Sequence, residues 1–141
     1  MKADHVFISN NLRYGRMLHS LRKCRENGTG VIITSNIMPE DGACDFRISY
    51  PRLTEDEAAE GNSMLLLITL LKQMGVKNAA VAGFDGFKPD EGSNYFDSYL
   101  RFDTDTHTGN ENRAIAEAVS RIGVKLDFLT PSMYKEYLDE V

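Results

Sequence analysis

Cysteine is scarce in this sequence. Cys24 and Cys44 are the only two among 141 residues, too few for a disulfide framework or a zinc site. Two reduced thiols in a cytoplasmic protein are therefore expected. Proline is also rare, with four residues and no Gly-Pro repeat, which excludes fibrous classes. Positive charge is not in excess: the net charge of −5 argues against a chain whose main task is gripping nucleic-acid phosphates. The longest apolar run, residues 64–71, falls far short of the ~20 residues a membrane span needs. No nucleic-acid or membrane partner is expected. Residues 1–5 lead directly into a strand-like stretch, without the pattern of a signal peptide. What is abundant is apolar content, at 42%, which excludes a disordered chain and lets one domain build its own core.

The apolar residues are grouped in a way that predicts alternating strands and helices. Val6-Phe7-Ile8 predicts a strand over 4–9, and 12–26 predicts a helix with Leu12, Met17, Leu18 and Leu21 on one face. Residues 30–35 form an apolar stretch without alternation, the pattern of a strand buried on both faces. Residues 46–50 alternate and predict an edge strand. Thr54 to Glu57 has capping-box spacing, predicting a short helix that stops near Gly61. Asn62 and Ser63 open the most apolar helix, running to Met74. Residues 79–83 predict a small-residue strand at the centre of a sheet. Thr108 to Glu111 is a second capping-box match, before a helix over 110–122. A strand over 124–129 follows, and Thr130-Pro131 are expected to cap and start a terminal helix.

Three times, at Gly28, Gly75 and Gly123, the order is helix, glycine, strand. Strands joined through helices need crossovers, which make them parallel. The expected fold is one α/β domain over 1–141, a three-layer Rossmann-like architecture with a mostly parallel sheet of about five strands. Such a sheet binds ligands beyond the carboxyl ends of its strands. There the sequence places amides and hydroxyls: Ser9-Asn10, Ser35-Asn36, Asn62-Ser63 at a helix start, and Thr130 to Ser132. These are neutral donors and acceptors suited to a base, a ribose or a sugar. The same residue types also cap helices and make turns, and both roles remain open.

Asp85 stands directly after the small-residue strand and before Gly86, where a carboxylate accepts hydrogen bonds from ligand hydroxyls or from its own loop. The segment after it, with Asn94, Tyr95, Tyr99 and Arg101, is longer than a simple connector. Asp103, Asp105 and His107 alternate, a pattern that a solvated loop explains better than a metal site. His5 and His19 have no partners nearby in sequence. No glycine-rich phosphate loop, nucleophile elbow, HExxH or Walker loop is present.

Gly61-Asn62-Ser63, the apolar helix ending at Gly75, and Gly83-Phe84-Asp85-Gly86 together resemble a signature of two groups: the family-42 sialyltransferases and the pterin-diphosphokinase-like (MptE-like) Rossmann domains. From them, nucleotide-holding roles carry over to Asn10, Asn62, Ser63, Asp85 and Tyr95. A broader likeness takes in residues 6–14, 32–36, 82–87, 94–96 and 128–132. These resemble the carboxyl-terminal domain of bacterial aldolase-like proteins, in which a metal-dependent HMG-CoA-lyase-type barrel comes first. That barrel, of ~250 residues, would not fit in 141, so the chain is expected to be a piece of a longer one.

The resemblance implies an accessory domain that binds a nucleotide, a phosphosugar or an acidic metabolite, and with the strand-end residues Asn36 and Ser132 the expected ligand-binding set is Asn10, Asn36, Asn62, Ser63, Asp85, Tyr95 and Ser132. It implies no metal or cofactor in this domain, because the lyase's divalent metal would belong to the barrel, which is its partner in the same chain. Two other readings stand beside it. One is a glycosyl- or diphosphate-transferase in which Tyr95 or His107 assists the leaving group. The other is a non-catalytic module that drives homo-oligomerisation.

Overall fold

The computed structural model describes residues 2–39, 42–86 and 111–140. They form two compact units, Met1–Leu67 and Ile68–Val141, each built of helices and parallel strands.

In the first unit, β1 (His5–Ile8), β2 (Gly30–Thr34) and β3 (Phe46–Ile48) make a parallel sheet in the order β1-β2-β3. His5 lies opposite Gly30, Ile8 opposite Ile33, and Ile32 opposite Phe46. The central strand is β2, whose Val31, Ile33 and Thr34 are fully buried, as its unbroken apolar run predicts. Helix α1 (Asn11–Glu26) covers the sheet through Tyr14 and Leu21, with Met17 and Leu18 packed beside them. The expected face included Leu12, yet Leu12 is 64% exposed and Tyr14 takes its place in the core. At about 100° per residue, Tyr14 falls in line with Met17, Leu18 and Leu21, while Leu12 is carried to the far side.

Helix α1 ends in a paired closure. Gly28 N–H reaches Arg25 O at 2.9 Å, and Thr29 N–H reaches Cys24 O at 2.9 Å. Closing the helix this way requires a left-handed residue, and Gly28 supplies it with φ of +81°. Arg25 in the last turn then clips the next loop. Its Nε and Nη2 donate to Asp45 Oδ1 at 3.0 and 2.7 Å, and Val31 N–H donates to Asp45 Oδ2 at 2.7 Å. The Arg25 hydrogen bond and the Val31 N–H hold the Asp45 carboxyl below its ordinary range, and the same bond raises Arg25. Cys24 and Cys44 are both free thiols.

The short helix expected from Thr54 is displaced. A single turn, α2 (Tyr50–Leu53), forms first, seeded by Pro51 at its start. Thr54 closes this turn, and its hydroxyl donates back to Tyr50 O at 3.2 Å. A 3-10 turn (Glu57–Ala59) follows, capped instead by Asp56, whose Oδ1 accepts from Ala58 N–H at 3.1 Å.

Helix α3 (Ser63–Gln73) begins in the first unit and ends in the second. Leu65, Leu66, Ile68 and Leu70 are buried, while Lys72 and Gln73 are exposed, matching its narrow polar strip. In the second unit β4 (Asn78–Val81) pairs in parallel with β5 (Lys125–Phe128). Between them runs α4 (Glu111–Ile122), which buries Ile115, Ala116, Ala118 and Val119 and packs against α5 (Met133–Asp139). Phe84 lies stacked against Phe128 at 6.4 Å and tilted against Tyr134 at 4.4 Å between ring centres.

Two expectations are modified here. The small-residue strand β4 pairs with β5 alone among the described residues, so the five strands form a three-stranded and a two-stranded sheet. Its exposure alternates, with Asn78 and Ala80 outward and Ala79 and Val81 half-buried, the pattern of a strand with one wet face. The terminal helix starts two residues later than expected. Ser132, not Thr130, caps it, its Oγ accepting from Tyr134 N–H at 3.2 Å. Among the described residues no helix is long and apolar enough to cross a membrane.

Candidate functional site

The parallel strands of the first unit deliver their carboxyl ends to one polar cluster. Ser9 follows β1 directly, is 7% exposed, and shares a 2.6 Å hydrogen bond between its hydroxyl and that of Ser63. Its carbonyl accepts from Asn36 Nδ2 at 3.0 Å, just beyond β2. Thr34, the last residue of β2, donates to the carboxamide oxygen of Asn36 and so fixes which way that amide faces. Three segments far apart in sequence therefore meet through Ser9, Thr34 with Asn36, and Ser63.

Asn10 and Asn62 flank this cluster, each next in the chain to one of its serines. Both are helix caps. Asn10 Oδ1 accepts from Arg13 N–H at 3.0 Å to start α1, and Asn62 Oδ1 accepts from Leu65 N–H at 3.0 Å to start α3. Asn62 O takes Leu66 N–H as well, also at 3.0 Å. Capping commits the carboxamide oxygens, leaving the amides of Ser63 and Met64 as the first donors of an eleven-residue helix. Of the residues expected to bind ligand, Asn10, Asn36, Asn62 and Ser63 all belong to this unit.

Asp85 and Ser132 belong to the second unit and lie beyond the carboxyl ends of β4 and β5. Asp85 is exposed. One carboxylate oxygen accepts from Thr130 Oγ1 at 3.1 Å, and Thr130 Oγ1 in turn accepts from Gly83 N–H at 2.9 Å. Met133 N–H donates to Asp85 O at 2.7 Å. Had Thr130 capped the helix, the amides in reach would be those of Ser132 and Met133, and Met133 N–H is already committed to Asp85. Ser132 is half-buried and occupied as the cap of α5. Nearby, burial raises the Tyr134 phenol above its ordinary range, and the carboxylates of Glu111 and Asp85 push it further in the same direction.

Sequence reasoning set Ser9 and Thr130 among the strand-end polar residues but left both out of the ligand-binding set. Ser9 was signalled only by its place at a strand end. Thr130 was masked by the adjacent Pro131, which made a helix start look closer than it is. Tyr95, together with Asn94, Tyr99, Arg101, Asp103, Asp105 and His107, lies outside the described residues. Among those described, no group of three or more His, Cys, Asp or Glu is placed to hold a metal ion.

Open hollows occur elsewhere among the described residues. One of about 600 Å³, lined by Lys2, Ala3, Val6, Cys24, Asn27 and Thr29, lies at the opposite end of the β1–β2 pair from the serine cluster. Another, about 580 Å³, lies against β4 and β5 and includes Asn78, Lys125 and Asp127. No protein-family model, curated protein or solved structure matches this chain.

Proposed function

We propose that this chain is an accessory Rossmann-like domain of an aldolase-like lyase, with its strands in one mostly parallel sheet of three-layer architecture. It binds a nucleotide, a phosphosugar or an acidic metabolite at the carboxyl ends of those strands. The observation that carries the reading is the meeting of Ser9, Asn36 and Ser63 where β1, β2 and the start of α3 come together. Hydroxyls and amides at a helix start suit an anion, because unpaired backbone N–H groups and the helix dipole both favour negative charge there. In the second unit, taken by itself, the exposed Asp85 carboxylate is an acceptor of the kind that hydroxyl groups bind. All three strand pairings among the described residues are parallel, which supports the parallel character of the strands.

Thermal shift against nucleoside phosphates, sugar nucleotides, sugar phosphates and dicarboxylic acids tests the reading. A ligand at one hundred times its Kd adds about 2.7 kcal/mol to the folded state, a shift of several degrees. Ser63→Ala should weaken that response at least several-fold. Silence across the panel together with a concentration-dependent dimer would replace this reading with oligomerisation. Product formed from a sugar nucleotide and an acceptor would replace it with transfer. An HMG-CoA-lyase-type barrel encoded in frame upstream is the expected result for the lyase assignment, and a different upstream domain would overturn it.

A further inference from the structure

Charge in the first unit is sorted along the chain. Residues 5–25 contain five lysines and arginines and no acidic residue, whereas residues 53–67 contain four acidic residues and no basic one. The first stretch is largely helix α1. At about 100° per residue, Leu12, Arg16, His19 and Lys23 fall on one line along it, with Arg22 beside Lys23, and all five are exposed. The second stretch holds the 3-10 turn and its flanks, where Glu55, Glu57 and Glu60 are exposed. Arg22 and Lys23 on the helix, and Glu55, Glu57 and Glu60 on the turn, make no ion pair among the described residues. Arg25, by contrast, is engaged with Asp45.

We propose that the basic face of α1 docks on the acidic 55–60 segment of a second copy of this chain. Every copy carries both patches, so a two-fold axis makes the contact twice. Leu12, 64% exposed at the start of the same line, gives the contact an apolar group to bury. A nucleic-acid strand fits less well. With a net charge of −5 and the acidic segment in the same unit, the chain repels a polyanion beyond the helix face, whereas a second copy uses both charges. Exposed ion pairs are individually weak, so the dimer is expected to be weak and sensitive to salt. The contact is separate from the serine cluster: Arg22 lies about 18 Å along the helix from its Asn10 cap.

Sedimentation equilibrium of the full chain tests the contact. A reversible dimer is expected at about 0.05 M salt, and its dissociation constant should rise at least about tenfold at about 1 M, where the screening length is about 3 Å. Arg22→Glu with Lys23→Glu should leave the chain monomeric, and so should Glu57→Lys with Glu60→Lys. Mixed in equal amounts, these two variants should pair one to one. In the mixed dimer one contact is native and the other has both its charges reversed, so each is attractive. Arg22→Gln with Lys23→Gln gives the same loss of dimer where charge reversal impairs folding. A wild type that stays monomeric at about 0.05 M salt overturns the proposal, as does a dimer indifferent to salt. A dimer that survives the paired substitutions, or a mixture that fails to pair, overturns it equally. A monomer that binds a fluorescent single-stranded RNA through Arg22 and Lys23 would give the helix face a different occupant and overturn it as well.

Discussion

Replacing Gly86 by alanine separates backbone strain from steric overlap, because Gly83, three residues earlier, provides a matched control. Both glycines have positive φ, +71° at Gly83 and +96° at Gly86. At Gly83 an added Cβ meets nothing within 4 Å, so Gly83→Ala carries the left-handed penalty alone, about 1–2 kcal/mol. At Gly86 the same penalty applies, and the new Cβ stands 2.9 Å from Met133 Cβ, closer than real carbon contacts allow. Neither partner yields easily. Met133 opens α5 with its N–H bonded to Asp85, and Asn112 is 1% exposed on α4. Overpacking of this kind adds about 1–3 kcal/mol, giving roughly 2–5 kcal/mol in all. In urea, with a slope of about 2 kcal/mol/M, Gly86→Ala should lower the midpoint by roughly 1–2.5 M and Gly83→Ala by less than about 1 M. Equal losses for the two variants would show that the approach of Gly86 to Met133 and Asn112 is not tight, and the argument would fail.

Two further predictions concern titration. Asp45 has its carboxyl held below the ordinary value of 3.8, so its contribution to stability is present above that pH and is lost as the pH falls below it. Asp45→Asn should therefore lower the urea midpoint at pH 6, and the gap from wild type should narrow as the pH is taken progressively below 3.8; a constant gap would refute the clip. Tyr134 has its phenol raised, so the folded state keeps that proton more tightly and stability should fall as the pH climbs past the ordinary value of 10.0. In an ultraviolet titration of the six tyrosines, the phenolate signal lost on Tyr134→Phe should be one that appears only with unfolding. Its appearance in the ordinary tyrosine range would contradict the burial.

The alternation of helix and strand was legible because it rests on local chemistry. Glycine at 28, 75 and 123 marks helix ends, and apolar runs at 30–34 and 64–71 mark buried elements. The helix faces were less legible. Leu12 is the more apolar of the pair, yet the turn of the helix sets Tyr14, and not Leu12, in line with Met17, Leu18 and Leu21, so weighing apolar character above angle picked the wrong residue. The capping signals at Thr54 and Thr130 misled for a shared reason: a hydroxyl near a helix start has several possible partners. Thr54 bonds back to Tyr50, and Thr130 bonds Gly83 and Asp85, 47 and 45 positions away. At the candidate site, strand-end polarity pointed to Ser9 and Asn36, and the start of the apolar helix pointed to Ser63. The Ser9–Ser63 contact spans 54 positions, and no local pattern encodes a pairing at that distance.

Helix α3 has a practical consequence for dissecting the molecule. Its eleven residues carry hydrogen bonds across position 67, where the two compact units divide. A protease cut or expression boundary at that position would sever a continuous helix and strip its middle turns of their backbone partners. A fragment meant to keep the Ser9–Ser63 contact on an intact helix must extend to Gln73, so excision has to respect the helix rather than the division between the units.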